Sequence, residues 1–358
     1  MRRVVWRVVR RVERHLGRHV AHAVAPLGVG LAAALLVACG GGGEPSVPTG
    51  PGTPTTPTTP TGPPPAPTPT GPVGPFTVGV PVVDTRAWME YVPGDAPLVL
   101  IAPHGGTLLP SQLPDRSCSG CVTVNDANTQ ELARAIADAF ARRTGARPHL
   151  VVNRLHRRKF DGNRAIIEAT GGTSMLEASW FWFHEAVDTA RADVVRRHQR
   201  GLVLDLHGHA HGVARLELGY LLIAGELRAS DSALSADNAM ARSSIARLAA
   251  DARAGERGTA LLRGAEALGT QLHAAGYPSV PSAQDPAPLA GQDYFTGGYN
   301  TVRHGSIGGG ALDAIQVESH FAGVRDSEAS RAAFAEVLAR ELARFLERHY
   351  GWRRPGAP

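Results

Sequence analysis

Residues 98–106 read L-V-L-I-A-P-H-G-G: five apolar residues in a row, then a proline, a histidine and two glycines. An apolar run this short, without polar alternation, reads as a strand buried on both faces. The same shape recurs at residues 203–209, V-L-D-L-H-G-H, and at 314–320, A-I-Q-V-E-S-H. Strands are therefore expected at Leu98–Ala102, Leu150–Val152, Leu202–Leu206, Leu216–Ile223 and Ala314–Val317. Longer amphipathic stretches lie between and after them, at Thr129–Arg143, Met175–Arg200, Asn238–Ala254, Thr259–Ala275 and Ser327–Tyr350, and read as helices. Strands separated by helices predict one α/β domain, a mainly parallel or mixed central sheet with helices on both faces. In such sheets ligands bind beyond the carboxyl ends of the strands, which is where chemistry is to be sought.

Three strand ends carry His104, His207 and Glu318 to that edge. The Leu150–Val152 strand leads into N-R-L-H-R-R-K-F-D-G-N-R, which contains Asp161, Asn163 and Arg164. Catalytic zinc takes three N or O ligands and leaves one position for water, so His104 and His207 suit two ligand places. Glu318 suits the general base of a hydrolase, and Arg164 a fixed bidentate donor for a substrate carboxylate or an oxyanion. Taken singly, each residue has an ordinary structural role open to it: a hydrogen-bonded histidine, or an ion pair closing a loop at Asp161 or Arg164. Their shared position at strand ends is what points to a site.

The chain has 358 residues, 43% hydrophobic and 19% charged, which excludes a disordered or a multi-span membrane protein. Its net charge of +5 invites a nucleic-acid reading, but the arginine-rich stretch before residue 39 carries +6 and the remainder −1, so no nucleic-acid partner is expected. Residues 1–38 have the parts of a secretory signal, with an apolar run from Pro26 to Ala38 too short to span a membrane. Its end, L-V-A-C, resembles the lipobox of bacterial lipoproteins, which implies an acylated Cys39 and a membrane anchor. Residues 39–75 are almost wholly Gly, Pro and Thr, an extended and disordered tether. The globular domain is expected over residues 76–352, with a short disordered tail at 353–358. In an oxidising compartment Cys118 and Cys121, in C-S-G-C, are expected to form a disulfide. Other chemistries fail on sequence. The sole lysine, Lys159, is followed by Phe160 and makes no P-loop, H-E-A-V-D at His184 lacks the second histidine of a zincin, and there is no G-x-S-x-G. The cluster Trp180–Phe183 reads as a buried helix or a pocket wall.

The ordered set P-H-G-G, D-G-N-R, L-D-L-H, G-G-Y-N-T-V-R-H-G and A-I-Q-V-E resembles the N-formylglutamate amidohydrolase family, over about Pro97 to Tyr350. The resemblance implies a zinc carboxypeptidase-like fold, related to the succinylglutamate desuccinylases. It implies His104 and His207 as metal ligands, Asn163 and Arg164 as the substrate-binding pair, and Glu318 as the catalytic carboxylate. There are departures. Carboxypeptidase relatives have a Glu three residues after the first histidine, where this chain has Thr107. The third ligand must come from elsewhere, and Asp126 resembles an acidic position of the family, although it or Asn128 could equally cap the helix that follows. His209 and His211, where the family commonly begins with Ser, read as exposed loop residues, with a supporting role behind the ligands or an additional metal site as alternatives. Tyr294–Gly310 is too Gly-rich for a helix and reads as a mobile substrate-covering loop offering Tyr299 and Arg303.

The expectation is thus a lipid-anchored enzyme of the bacterial cell envelope, periplasmic or surface-facing. With one Zn2+ it would hydrolyse the amide bond of an N-acyl amino acid or small peptide that bears a free carboxylate. Rivals are a metallopeptidase or amidase acting on cell-wall peptides and a non-catalytic binding lipoprotein on the same fold. A third ligand reaching the two histidines separates the enzyme from the binder.

Overall fold

A computed structural model describes residues 71–118, 120–251 and 258–356. The signal-like leader, Cys39 and the tether as far as residue 70 lie outside the described residues. No helix among the described residues is long and apolar enough to cross a membrane.

The expected buried strands form the middle of an eight-stranded mixed sheet. In chain order its strands are β1 (Val82–Val83), β2 (Met89–Val92), β3 (Leu98–Ala102), β4 (His149–Asn153), β5 (Leu202–Gly208), β6 (Leu216–Gly219), β7 (Ser279–Val280) and β8 (Asp313–Ser319). They lie side by side as β1-β2-β4-β3-β5-β8-β6-β7. The central run β4-β3-β5-β8 is parallel, as is β6 with β7, while β1/β2, β2/β4 and β6/β8 are antiparallel.

The two faces of the sheet are covered differently. Leu98, Leu100, Leu202, Leu204, Leu206, Ile315 and Val317 join one core with residues of the helices Thr129–Thr144 and Glu328–Phe345. Alternate residues face the other way. Val99 and Ile101 lie on the side of helix Glu177–His198, whose Trp180, Phe183, Val187 and Val194 are buried. Asp205, His207, Gln316, Glu318 and Glu217 occupy this second face in register, Asp205 opposite Gln316, His207 opposite Glu318, and Glu318 opposite Glu217. The edge of the sheet therefore presents a row of titratable side chains, each on a rigid strand.

Four expectations on secondary structure need correction. Tyr299–His304 is a helix despite its glycine-rich surroundings, because the glycines flank it: Gly298 precedes it, its N–H bonded to Thr301 Oγ1, and Gly305 ends it. Of the stretch expected as one helix from Asn238 to Ala254, residues 252–254 lie outside the described residues, and the described residues form a 3-10 turn, Ala239–Arg242, and a helix, Ala246–Asp251. Between them Ser244 leaves helical pairing to bond Tyr220, Ser306 and Ala314. The stretch Thr259–Ala275 likewise breaks, at Gly264, into Ala260–Arg263 and Leu268–Ala274. Strand β6 stops at Gly219, and Leu221, with φ at 65°, turns the chain so that its N–H meets Thr296 O.

Candidate metal centre

His104 stands two residues beyond β3, where Pro103 has ended the strand, and His207 lies near the end of β5. Asp126 reaches them from the turn before helix Thr129–Thr144. The expected capping role falls away: Asn128 occupies the cap position without a side-chain cap bond, and it is the Asp126 backbone carbonyl that accepts from the Thr129 hydroxyl. The Asp126 carboxylate turns instead to the histidines. Its Oδ2 lies 3.2 Å from His104 Nδ1 and 3.2 Å from His207 Nδ1, and the two Nδ1 atoms are 3.0 Å apart. All three residues are buried.

These distances test whether a metal fits. Ligand atoms at about 2.0–2.1 Å from a tetrahedral zinc stand about 3.3 Å from one another, close to the separations found. The outer nitrogens are also held as ligating imidazoles are held, against carboxylates. His104 Nε2 lies 2.6 Å from Asp161 Oδ1. His207 Nε2 lies 2.9 Å from Asp205 Oδ2, a contact without hydrogen-bond alignment, and 3.3 Å from Asn163 Nδ2. Arg157 knits the carboxylates together, with Nη1 3.0 Å from Asp126 Oδ1 and Nε 3.1 Å from Asp161 Oδ2. Arg116 adds a contact to Asp161 at 3.5 Å. The carboxylates of Asp126, Asp161 and Asp205 thus outnumber the guanidiniums of Arg157 and Arg116, an imbalance that favours a cation.

The protonation equilibria show the same field. Burial works against charge on every group. For Asp126 the two histidines outweigh it and hold the carboxyl well below its usual range. For Asp161 the His104 imidazole, then Arg157 and Arg164, have the same effect. Burial would discharge His207, yet the carboxylates of Asp205 and Glu318 and the bonds to Asp126 and Asp205 push it well above the ordinary histidine range. Glu318 is pushed up to about 8, first by burial and then by Asp126 and Glu217, against the pull of His207 and Arg157. Gln316 Nε2 donates to Glu318 Oε1 at 3.0 Å, while the buried Oε2 has no hydrogen-bond partner among the described residues.

The remaining expected site residues are dispersed. Arg164 sits at the rim, with Nη1 on the Asn163 carbonyl at 3.0 Å and Nε 3.3 Å from Glu168, in a half-exposed pair. Asn163 is buried behind His207, and its Oδ1 accepts from the Asn300 N–H at 2.8 Å. Its amide is engaged by the fold, unlike the substrate contact expected. Tyr299, 1% exposed, packs its ring against His184 and Trp180 and offers no open face. Arg303 lies over the Trp180 ring with Asp188 at 3.5 Å. Cys118 and Cys121 are joined by a disulfide on the loop before Asp126. His209 is buried, correcting the expectation of an exposed loop residue, because its Nε2 is drawn to the Arg215 carbonyl at 2.8 Å.

Sequence reasoning gave no role to Arg157, Asp205, Gln316 or Asn300. Only Asp205 carried a signal: an acidic residue in the middle of an apolar strand, two before a histidine, has to be partnered.

No family model matches the chain, and no curated protein matches it. Solved structures similar to it include the N-formylglutamate amidohydrolase from Ralstonia eutropha JMP134, at 13% identity and TM-score 0.44, covering 73% of this chain and 98% of that one. Another is the gene product Atu2144 from Agrobacterium tumefaciens, at 18% identity and TM-score 0.41, covering 71% and 91%. Likeness at this level assigns no activity, and the geometry of the site has to carry the functional reading.

Proposed function

We propose that the chain is a zinc-dependent amidohydrolase that cleaves the amide bond of an N-acyl amino acid or small peptide bearing a free carboxylate. The observation that supports this most is the convergence of His104 Nδ1, His207 Nδ1 and Asp126 Oδ2 at zinc-ligand spacing, beside a buried carboxylate with one oxygen unpartnered among the described residues. A zinc ion held by the trio would supply Lewis acidity and bring the pKa of a water down to about 7.

In this reading Glu318 Oε2 accepts the proton of the attacking water. Gln316 holds Oε1 and so leaves Oε2 as the basic atom. Glu318 then passes that proton to the leaving amine. Asp161 fixes the orientation of the His104 imidazole, and Asp205 lies against that of His207. Arg164 binds the substrate carboxylate: its pair with Glu168 is half-exposed, and such pairs contribute only about 0–1 kcal/mol, so the guanidinium is exchangeable. The sequence before the domain supports a place at the bacterial cell envelope, with Cys39 acylated and the tether holding the domain clear of the bilayer.

The test is elemental analysis of the purified protein, followed by a screen of N-acyl amino acids and small peptides. His104→Ala should lose metal and activity together. Glu318→Gln should keep its metal and lose kcat by a factor on the order of 10² to 10⁴. Absence of both metal and zinc-restored activity in the wild type would overturn the proposal. Equal metal loss in both variants would make Glu318 a ligand and send the search for the base elsewhere.

A further inference from the structure

We propose that His209, His211 and Glu217 form a second, independent seat for a divalent transition-metal ion. Each offers one ligand atom, and these atoms all lie within 4.8 Å of one another. Two imidazoles and a carboxylate make a donor set that suits zinc and its first-row neighbours, whereas magnesium and calcium call for oxygen ligands.

The three side chains are oriented for this use. His209 is buried, and its Nε2 donates to the Arg215 carbonyl at 2.8 Å. That bond fixes the tautomer and leaves the Nδ1 lone pair as acceptor, as the backbone bonds of metal-bound imidazoles do. That single lone pair now accepts the His211 N–H at 3.1 Å, a bond that an incoming ion displaces. His211 Nδ1 lies 2.9 Å from Glu217 Oε1, and Glu217 Oε2 accepts the Phe295 N–H at 2.8 Å. Glu217 is fully buried, and among the described residues its ion-pair partner is His211, with no lysine or arginine in reach. A metal ion at this place would neutralise the buried carboxylate.

The sheet register separates this seat from the first. His207, Glu318 and Glu217 stand in one row across β5, β8 and β6. Two strand spacings put the α-carbons of His207 and Glu217 about 10 Å apart, and the two trios have no residue in common. The second ion is therefore a brace. It clamps the chain between β5 and β6 onto Phe295, against whose ring His211 stacks at 4.5 Å. From there the chain runs into the helix whose Asn300 holds Asn163 and Asp205.

Zinc content after dialysis, and zinc affinity by competition with a chromophoric chelator, would be measured on the full chain as wild type, His104→Ala, His211→Ala and the double variant. The expected contents are about two, one, one and no equivalents. Glu217→Gln, which keeps side-chain volume, should weaken the same equivalent as His211→Ala, and circular dichroism establishes that each variant is folded. The proposal is overturned if the wild type holds one equivalent that His104→Ala abolishes, or if adding His211→Ala to His104→Ala removes nothing. A single equivalent that survives His104→Ala and vanishes with His211→Ala would preserve this seat and remove the first, so the two readings fail separately.

Discussion

Replacing Asp161 by Asn would change no heavy-atom count and almost no volume, yet it should cost the candidate centre most of its affinity. Asp161 Oδ1 accepts from His104 Nε2 at 2.6 Å and from the Asn163 N–H at 2.9 Å, while Oδ2 accepts from Arg157 Nε at 3.1 Å. All of these partners are donors, and an amide has only one acceptor oxygen. In either orientation its NH2 group faces a donor, which leaves a buried N–H without a partner at about 1–3 kcal/mol. With the amide oxygen on His104 the imidazole still loses the carboxylate that makes Nδ1 a strong ligand. Loss of such a supporting partner typically lowers metal affinity by about 10–100-fold, or about 1.4–2.7 kcal/mol. Arg157 keeps Asp126 Oδ1 at 3.0 Å, so the fold loses less than the roughly 3–5 kcal/mol of a buried charge wholly abandoned. Zinc titration against a competing chelator, with thermal melts of the metal-free protein as control, would measure both effects. An Asp161→Asn protein that folds and binds zinc as tightly as the wild type would refute the argument that the His104–Asp161 contact tunes a ligand.

Other outcomes follow from single residues. Arg164→Lys should lose efficiency worth about 1.5–3 kcal/mol on substrates with a free carboxylate and much less on the matching amides; equal losses in steady-state kinetics would place Arg164 elsewhere in the reaction. His149 is buried, with Nδ1 accepting from the Gly94 N–H at 3.0 Å, and burial first of all brings its pKa down to about 4. The unfolded chain then binds a proton below about pH 6.5 that the folded one refuses, so stability falls as pH drops toward 4. Relative to His149→Gln, the wild type should lose about 2 kcal/mol between pH 7 and pH 5 in urea unfolding, and a constant difference would contradict the assignment. Cys39→Ser should convert a membrane fraction that resists salt washing into an uncleaved or soluble form with unchanged activity; wild-type protein found soluble, with another amino terminus, would dispose of the anchor.

The middle of the sheet was legible because β3 spells a continuous apolar run, and because β5 and β8 set Leu202, Leu204, Leu206, Ile315 and Val317 at every second place of short buried stretches. Strands β1 and β7, two residues each, and β2, whose M-E-Y-V carries a buried glutamate paired with Arg134, give no such run and were not expected. Helix Tyr299–His304 was misjudged because the count of glycines in its neighbourhood conceals that none falls inside it.

By itself the sequence determined which residues stand at the strand ends, since a strand that stops at Pro103 or runs on to His207 and Glu318 delivers the next side chain to the edge whatever surrounds it. It could not determine what those side chains face. Asp126 as ligand-like carboxylate or helix cap, Asp161 and Asp205 as supports of the imidazoles, and Arg157 as the bridge between two carboxylates were all decided by tertiary structure. The same holds for His209, which local polarity put in solvent and the Arg215 carbonyl draws inside. The reason is physical: strand position follows from local burial and periodicity, whereas the partner of a buried charge comes from elsewhere in the chain and is selected by the cost of leaving that charge alone.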